Sequence, residues 1–230
     1  MKITTHTIIK NEEKWIKPAI LSVIDHVNTM LIWDTDSTDK TVAIIKSINS
    51  PKIKFTQKGQ VNRQQLVNLR NQQIKLTKTS WFMLLDGDEV WPKKNLLKLL
   101  KAIKNSKPST LALVNKTRNC IGDIYHYQPE SKGKYKIGQW QGHLNIRAIK
   151  NTPGLKVVGQ YPDEAYVVNN QPLQDQPDKL EFIDTWYLHL THLKRSSWKN
   201  QLNVIDRLKK FKTWGKRLKL TPEELPEVLR

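Results

Sequence analysis

Short apolar runs and stretches of helical period alternate along the first hundred residues. The apolar runs lie at residues 3–9, 30–33, 53–55 and 81–85, and each predicts a β-strand. Between them, apolar side chains recur at the spacing of one helix face, which predicts helices. Strands that alternate with helices are typical of βαβ units. We therefore predict an α/β protein whose first half forms a mostly parallel sheet with helices on both faces.

The pattern changes after a predicted helix at residues 96–103. Short apolar runs joined by Gly-, Pro- and Asn-rich loops then predict a mixed or antiparallel second half. These predicted strands lie at residues 111–114, 144–149, 155–158, 165–168 and 186–190. We predict a three-layer, Rossmann-like domain over residues 1–192, with halves at residues 1–105 and 106–192. Residues 193–230 are predicted to form a basic, helical C-terminal extension.

Capping residues predict where several helices begin. Asn11 precedes two acidic residues and an apolar helical pattern, so it is a candidate N-cap of the first helix. A serine at position 196 or 197 can cap an amphipathic helix near the end of the chain. Thr221 is followed by a proline and by Glu224, which together form a capping-box pattern. A short final helix is therefore predicted after Thr221.

Two of the predicted strands end in acidic segments. Asp34 and Asp36 follow the second strand, and Asp86, Asp88 and Glu89 follow the fourth. Because ligands of such sheets bind beyond the carboxyl ends of the strands, both segments are expected to face one crevice. Closely spaced carboxylates repel each other unless a cation lies between them, and oxygen ligands suit Mg²⁺ or Mn²⁺. Acids at such a turn can also cap the next helix, so the turn alone leaves both interpretations open.

The composition favours an anionic partner. The 230 residues include 39 Lys and Arg against 21 Asp and Glu, a formal net charge of +18. Nucleic acid, an anionic membrane surface and phosphorylated small molecules all match this charge. The single Cys120 excludes an internal disulfide, and no apolar stretch has the length of a membrane span or the character of a signal peptide. We therefore expect a cytoplasmic protein.

Basic residues are concentrated between Lys194 and Lys219. This segment holds ten Lys or Arg residues and one acid, Asp206, with aromatic residues interleaved. One interpretation is a solvated helix face. The other is attachment to an anionic membrane, which would place the protein at the inner face of the membrane beside a lipid-linked acceptor.

Four short motifs follow one another in the first hundred residues. They are Asn11-Glu12-Glu13 after the first strand, the segment from Asp34 to Thr41 after the second, Arg70-Asn71 in a helix, and Leu85-Asp86-Gly87-Asp88-Glu89 after the fourth strand. In this order and at these strand ends, they resemble the family 2 glycosyltransferases of the GT-A fold. The resemblance implies transfer of a sugar from a nucleotide-sugar donor with the help of Mn²⁺ or Mg²⁺.

The resemblance implies a role for each of these motif residues. Asp88 is implied to be the direct metal ligand, and Asp86 a contact to ribose or to metal-bound water. Asp36 is implied to bind the base or ribose of the nucleotide. Arg70 is implied to lie near the diphosphate or ribose, although a helical arginine can simply be solvated. The expected nucleotide-sugar site is completed by Asn11, Glu13 and Asp34.

The second half contains three further elements: a predicted strand that includes Leu144-Asn145-Ile146-Arg147, the segment Tyr161-Pro162-Asp163-Glu164, and the histidines His189 and His192. They resemble the branch of the family that adds sugars to lipopolysaccharide core. The resemblance implies that Glu164, or else Asp163, is the base of a single in-line displacement, which inverts the anomeric configuration. It also implies that a late histidine completes the metal shell, and His192 is favoured over His189. The implied acceptor is a saccharide or lipid-linked sugar of a cell-surface glycan.

Two other functions match part of the sequence. A nucleic-acid-binding protein would explain the positive charge and the eight tryptophans. However, no nucleic-acid module is recognisable and the acidic strand ends would have no role, so we expect no specific nucleic-acid partner. A sugar nucleotidyltransferase can share the fold, but the segment Lys10-Asn11-Glu12-Glu13 is not a Gly-rich, basic phosphate loop.

Overall fold

The computed structural model describes residues 1–194 and 217–230. The helices are α1 (Ile16–Leu21), α2 (Thr41–Ser47), α3 (Arg63–Leu76) and α4 (Lys93–Asn105). The strands are β1 (Ile3–Ile9), β2 (Thr29–Asp34), β3 (Ile53–Gln57), β4 (Trp81–Leu84), β5 (Glu89–Val90), β6 (Ala112–Asn119), β7 (His126–Tyr127), β8 (Tyr135–Ile137), β9 (Trp140–Gly142), β10 (Leu144–Lys150), β11 (Lys156–Val158), β12 (Ala165–Val168), β13 (Gln171–Pro172), β14 (Leu180–His189) and β15 (Leu218–Lys219). Short 3₁₀ helices lie at Ile24–His26, Glu130–Lys132, Leu173–Asp175, Pro177–Lys179 and Glu227–Leu229.

A large twisted sheet forms the centre of the described part, with the strand order β3-β2-β1-β4-β10-β6-β14-β5. The strands from the first half, β1 to β4, are all parallel. In the second half, β10 runs antiparallel to both of its neighbours, and β5 runs antiparallel to β14. The predicted α/β fold, with a mostly parallel sheet and a mixed second half, is confirmed.

Strand β4 is buried on both faces of this sheet. Trp81 and Met83 pack into a core shared with α1, α2 and α4. Phe82 and Leu84 pack on the opposite side, into a core shared with α3, β11 and β12. Successive side chains of a strand point to opposite faces, so the continuous apolar run is what a strand between two layers requires. The predicted three-layer arrangement follows directly from this packing.

The strand order reverses at β1, and this reversal determines where a ligand-binding crevice opens. From β1 the chain moves outward through β2 to β3, and β4 then pairs with the other edge of β1. Connections that leave β1 and β4 in opposite directions open a crevice at the carboxyl ends of these strands. The loop that begins at Lys10 and the turn that begins at Leu85 border this crevice.

The first helix differs from its prediction. It begins at Ile16, with Trp15 in the N-cap position and no side-chain cap, and the apolar pattern continues only as a separate 3₁₀ helix at Ile24–His26. Asn11 does not cap it, because its Oδ1 accepts a hydrogen bond from the Thr38 N–H at 2.8 Å. The Asn11 backbone also has a left-handed φ of 57°. The predicted N-cap is therefore wrong, since the side chain is engaged by the next loop.

Residues 217–230, which the sequence assigned to the C-terminal extension, pack against the domain. Strand β15 pairs with β7. Leu220 and Leu225 are buried in the same core cluster as Leu188 and Leu190 of the region around β14. The Arg118 guanidinium donates to Glu224 at 2.8 Å, which anchors the segment from the polar side.

The predicted final helix is wrong. The capping contact itself forms, because the Thr221 N–H donates to Glu224 Oε2 at 3.0 Å. The chain then makes only a turn and a 3₁₀ helix at Glu227–Leu229. Pro226 explains this outcome, because it lacks the N–H that a second helical turn needs and clashes with the preceding turn.

The predicted helix capped by serine 196 or 197 lies outside the described residues. Most of the basic segment between Lys194 and Lys219 also lies outside them, because the described residues do not include 195–216. None of the helices in residues 1–194 and 217–230 has the length and apolar character needed to cross a bilayer.

Candidate active site

The loop after β1 is tied to the loop after β2 by the first family motif. The Asn11 N–H donates to Ser37 Oγ at 2.8 Å, and Asn11 Oδ1 accepts from the Thr38 N–H. Glu13 Oε2 accepts from the Lys40 N–H at 3.0 Å. Both predicted nucleotide-binding side chains therefore hold the neighbouring loop, and they fix the carboxyl ends of β1 and β2 relative to each other.

The two aspartates after β2 have different surroundings. Asp34 is buried at 1% exposure, and its Oδ2 accepts from the Ser37 N–H at 3.1 Å. Asp36 is exposed, has a left-handed φ of 74°, and lies 3.7 Å from Lys10 Nζ. Asp34 thus shapes the loop, while Asp36 presents its carboxylate to solvent at the strand end.

The acidic turn after β4 packs closely against the end of β1. A Cβ at Gly87 would lie 2.9 Å from Glu12 Cγ and 3.0 Å from Ile9 Cγ2. Such distances leave no room for a side chain, so glycine is needed here for close approach. The acidic turn is therefore held directly against the neighbouring strand β1.

Arg147 of β10 joins two carboxylates of this turn. Its Nη2 lies 3.0 Å from Asp86 Oδ2 and also donates to Glu89 Oε1. Its Nε donates to the Tyr187 hydroxyl at 3.2 Å, and Asn145 Nδ2 donates to the same oxygen at 2.7 Å. β10 pairs antiparallel with β4, which brings Arg147 to the acidic turn. Asp86 and Glu89 are therefore held in place by a cation from the second half of the chain.

Burial shapes the charges of this cluster. Burial raises the pKa of Glu89, because it disfavours the carboxylate more than the Arg147 guanidinium favours it. Burial also disfavours the Arg147 cation, but Glu89, Tyr187 and Asp86 together outweigh this effect and raise the pKa of Arg147. Arg147 therefore stays charged, and its positive charge balances an otherwise acidic turn.

Asp88 lies next to His189. The Asp88 side chain is only 4% exposed, and His189 Nε2 lies 3.4 Å from its Oδ2. The end of β14 is tied to the turn, because the Leu190 N–H donates to the Asp88 carbonyl at 2.9 Å. Burial lowers the pKa of His189, so its imidazole is neutral near pH 7 and has a free electron pair for a ligand.

The donor set of Asp88 and His189 fits a divalent cation. A buried carboxylate supplies the oxygen that Mn²⁺ and Mg²⁺ prefer, and a neutral imidazole is a common metal ligand. Among the residues that the structure describes, no three His, Cys, Asp or Glu side chains are grouped as a metal cluster. His192, the predicted ligand, lies in a turn beyond the end of β14 and is half-buried. His192 therefore lies beyond the strand that carries His189.

The predicted base forms an ion pair with the predicted phosphate contact. Arg70 Nε donates to Glu164 Oε1 at 3.1 Å, and the two side chains are mostly buried. The neighbouring Asn71 docks α3 on β11, because it exchanges two hydrogen bonds of 2.8 Å with the Val157 backbone. Asp163 is exposed. Arg70 thus holds Glu164, and Asn71 holds β11, the strand that pairs with β12 next to Glu164.

One cleft connects the acidic turn with the predicted base. It has a volume of about 540 Å³ and its lining includes Arg70, Asp86, Arg147 and Glu164. These residues come from α3, from the turn after β4, from β10 and from the loop before β12. The cleft therefore brings both halves of the chain to one place.

Sequence reasoning named Arg147 and Glu89 within motifs but gave them no role, and it did not single out Tyr187. Arg147 interrupts the apolar run of β10, and Glu89 is followed by Val90 and Trp91, which are buried. A charge within an apolar segment must find a partner, because burying it alone is costly. That rule is a signal for two buried charges, but it does not say that they bind each other.

Solved glycosyltransferases share this fold. Residues 1–349 of TarS from S. aureus match with a TM-score of 0.56 and 15% identity, covering 83% of this chain and 61% of that chain. The mannosyltransferase PcManGT from Pyrobaculum calidifontis, solved with GDP-Man and Mn²⁺, matches with a TM-score of 0.51 and 16% identity, covering 99% and 68%. The fold is thus the GT-A fold.

The chain belongs to Glycosyl transferase family 2, whose pattern matches residues 5–167. The glycosyltransferase SunS of Bacillus subtilis (strain 168) is 32% identical over 102 residues. That match covers 44% of this chain and 24% of SunS, so it spans about a quarter of that relative's length. The resemblance to family 2 is confirmed by the family match.

Proposed function

We propose that this family 2 glycosyltransferase is metal-dependent and transfers a sugar from a nucleotide-sugar donor to a saccharide or lipid-linked acceptor. The observation that carries the proposal is that Asp86 and Glu164 line one cleft. A donor-binding carboxylate and a base that face the same space can act on two substrates held side by side. A single displacement in this cleft inverts the anomeric configuration.

Asp88 and His189 would hold the cation, Mn²⁺ or Mg²⁺. When bound, the cation neutralises the negative charge that develops on the departing diphosphate. The Asp88 carboxylate is buried and the half-buried His189 imidazole lies beside it, which supports this assignment over a helix-capping role for Asp88. The donor's phosphate oxygens would supply the remaining ligands. His192 remains the alternative histidine ligand.

The nucleotide would lie over the carboxyl ends of β1 and β2. Asp36 presents an exposed carboxylate there for ribose or base, while Asn11 and Glu13 keep the two loops together. Asp34 supports the loop from below. Asp86 would contact the ribose or metal-bound water from the other side of the crevice.

Glu164 would act as the base. Its Oε1 is held by Arg70, and its Oε2 is buried without a hydrogen-bond partner among the described residues. In the proposed step, the acceptor hydroxyl gives its proton to Glu164 Oε2 while its oxygen bonds to the sugar's anomeric carbon. The bond from that carbon to the diphosphate breaks at the same time, and the nucleoside diphosphate leaves with the electron pair.

Two GT-A relatives support the class of donor. PcManGT was solved with GDP-Man and Mn²⁺. The glucosyl-3-phosphoglycerate synthase of Mycobacterium tuberculosis, 13% identical with a TM-score of 0.52 over 94% of this chain and 80% of that chain, was solved with Mn²⁺, UDP and phosphoglyceric acid. For the acceptor, the second-half motifs support a sugar of a cell-surface glycan such as lipopolysaccharide core.

A thermal-shift screen tests the donor and metal assignments. We expect one of the UDP-, GDP- or CMP-sugars to raise the melting temperature in the presence of Mn²⁺ and to do so much less without it. Asp88→Ala should abolish the Mn²⁺-dependent part of the shift. Asp178→Ala, at an aspartate whose side chain is 72% exposed, is the matched control and should behave like wild type. The proposal fails if no donor stabilises the protein, or if Asp88→Ala responds like wild type.

The basic segment between Lys194 and Lys219 is proposed to contact an anionic membrane. Ten Lys or Arg residues against one acid support this role, because each basic residue near such a surface adds attraction. Co-sedimentation with liposomes should increase with the fraction of anionic lipid and decrease with salt. Binding that ignores anionic lipid would contradict it.

A further inference from the structure

The mouth of the 540 Å³ cleft exposes two tyrosines. Tyr135 lies on β8 and is 69% exposed, while Tyr161 precedes β12 and is 43% exposed. Among the described residues, one other tyrosine, Tyr125, is as open, and it is not part of this lining. Exposed aromatic rings that converge from two segments on one cleft favour a binding role over packing.

The remaining lining has the chemistry of a binding surface for a polyhydroxylated ring. Gln174 and Asp175 supply exposed amide and carboxylate groups, and Leu173 supplies a buried apolar floor. A pyranose has apolar C–H faces that pack on the negative face of an aromatic ring. Its hydroxyl groups point outward at the edge, where amides and carboxylates can bind them.

The charges of the lining do not select a phosphate group. Its arginines are already paired, since Arg70 contacts Glu164 and Arg147 contacts Asp86 and Glu89. The exposed cation Lys136 and the exposed carboxylate of Asp175 both belong to the lining, so its exposed charges are of opposite sign. The two tyrosine rings therefore decide the occupant, and they suit a sugar ring.

We propose that Tyr135 and Tyr161 stack on a pyranose ring of the acceptor and that Gln174 and Asp175 bind its hydroxyl groups. This inference rests on the proposed function, because Glu164 lies in the same cleft and must reach an acceptor hydroxyl. The acceptor is then a saccharide whose terminal ring enters the cleft, whether or not a lipid is attached further along.

Saturation-transfer-difference NMR with methyl pyranosides tests the proposal. Irradiation of the wild-type protein should transfer saturation to the C–H protons on one face of the pyranoside ring. Transfer to the acyclic polyol sorbitol should be much weaker. The double variant Tyr135→Ala/Tyr161→Ala should weaken pyranoside binding by roughly tenfold. Tyr135→Phe/Tyr161→Phe should keep it, because the rings remain. Tyr125→Ala is the matched control and should leave it unchanged.

The result separates this inference from the proposed function. Donor stabilisation by a nucleotide sugar and Mn²⁺ should be the same in the wild type and in the tyrosine double variant. Absent pyranoside signals, equal signals from sorbitol, or full binding by the double alanine variant would overturn the stacking site while donor stabilisation persists. If no nucleotide sugar stabilises the wild-type protein in the presence of Mn²⁺, the proposed function is overturned instead.

Discussion

The two halves of the domain contribute to the site in different ways. In the first half, Asn11, Glu13 and Asp34 bind the backbone of loops close to them, at the ends of neighbouring parallel strands. In the second half, Arg147 and His189 reach across the sheet to the acidic turn of the first half. The first half thus forms the frame of the site, and the second half supplies the side chains that contact the carboxylates of the turn.

The largest expected effect comes from Arg147→Met, which leaves Glu89 and Asp86 without their shared cation. Loss of one partner of a buried ion pair costs about 3–5 kcal/mol, because an uncompensated charge stays buried. We therefore expect a decrease of this size in the free energy of unfolding, measured by urea denaturation. Adding Glu89→Gln should recover part of it.

Lys116→Met is the control for Arg147→Met. Lys116 Nζ lies 3.2 Å from Glu130 and 3.2 Å from Asp184, but both of these carboxylates are largely exposed. Exposed pairs contribute about 0–1 kcal/mol, so this variant should change stability little. Equal losses in the two variants would contradict the distinction between the buried and the surface pair.

Glu164→Gln should lower the transfer rate by roughly 10²–10³-fold, because the side chain can no longer accept the acceptor's proton. Donor-dependent thermal stabilisation should persist. Asp163→Asn should leave the rate within about twofold of the wild type, since Asp163 is exposed beside the cleft. A larger loss in Asp163→Asn than in Glu164→Gln would exchange the roles of the two residues.

His189→Ala should raise the Mn²⁺ concentration needed for half-maximal transfer by about 100-fold, because it removes the imidazole beside Asp88. His192→Ala should have a smaller effect. The measurement is the Mn²⁺ concentration that gives half-maximal transfer. If the two variants rank in the opposite order, His192 is the ligand, as the sequence favoured.

The smallest expected effect is that of Asn11→Ala. The variant loses the hydrogen bond to the Thr38 N–H and places alanine at a left-handed φ, which together cost about 1–2 kcal/mol. Asn170→Ala is the matched control, because Asn170 is exposed with a φ of 63°. The difference between their unfolding free energies measures the side-chain bond, and no difference would contradict a loop-joining role for Asn11.

Much of the frame could be predicted from the sequence, and each failure has an identifiable cause. The strands of the first half were found because apolar runs and helical periods are properties of neighbouring residues. The prediction that Asn11 caps the first helix and the prediction of a final helix after Thr221 were wrong for different reasons. Asn11 has a distant partner at Thr38, whereas Pro226 stops the final helix at close range.

The sequence by itself determined the alternation of strands and helices, the acidic turn at Asp86 to Glu89, and the family that these motifs define. Only the tertiary structure decided that Arg147 binds Asp86 and Glu89, and that Arg70 holds Glu164. The physical reason is that periodicity and turn chemistry depend on adjacent residues. Ion pairs between distant residues depend instead on strand order, here on the insertion of β10 beside β4.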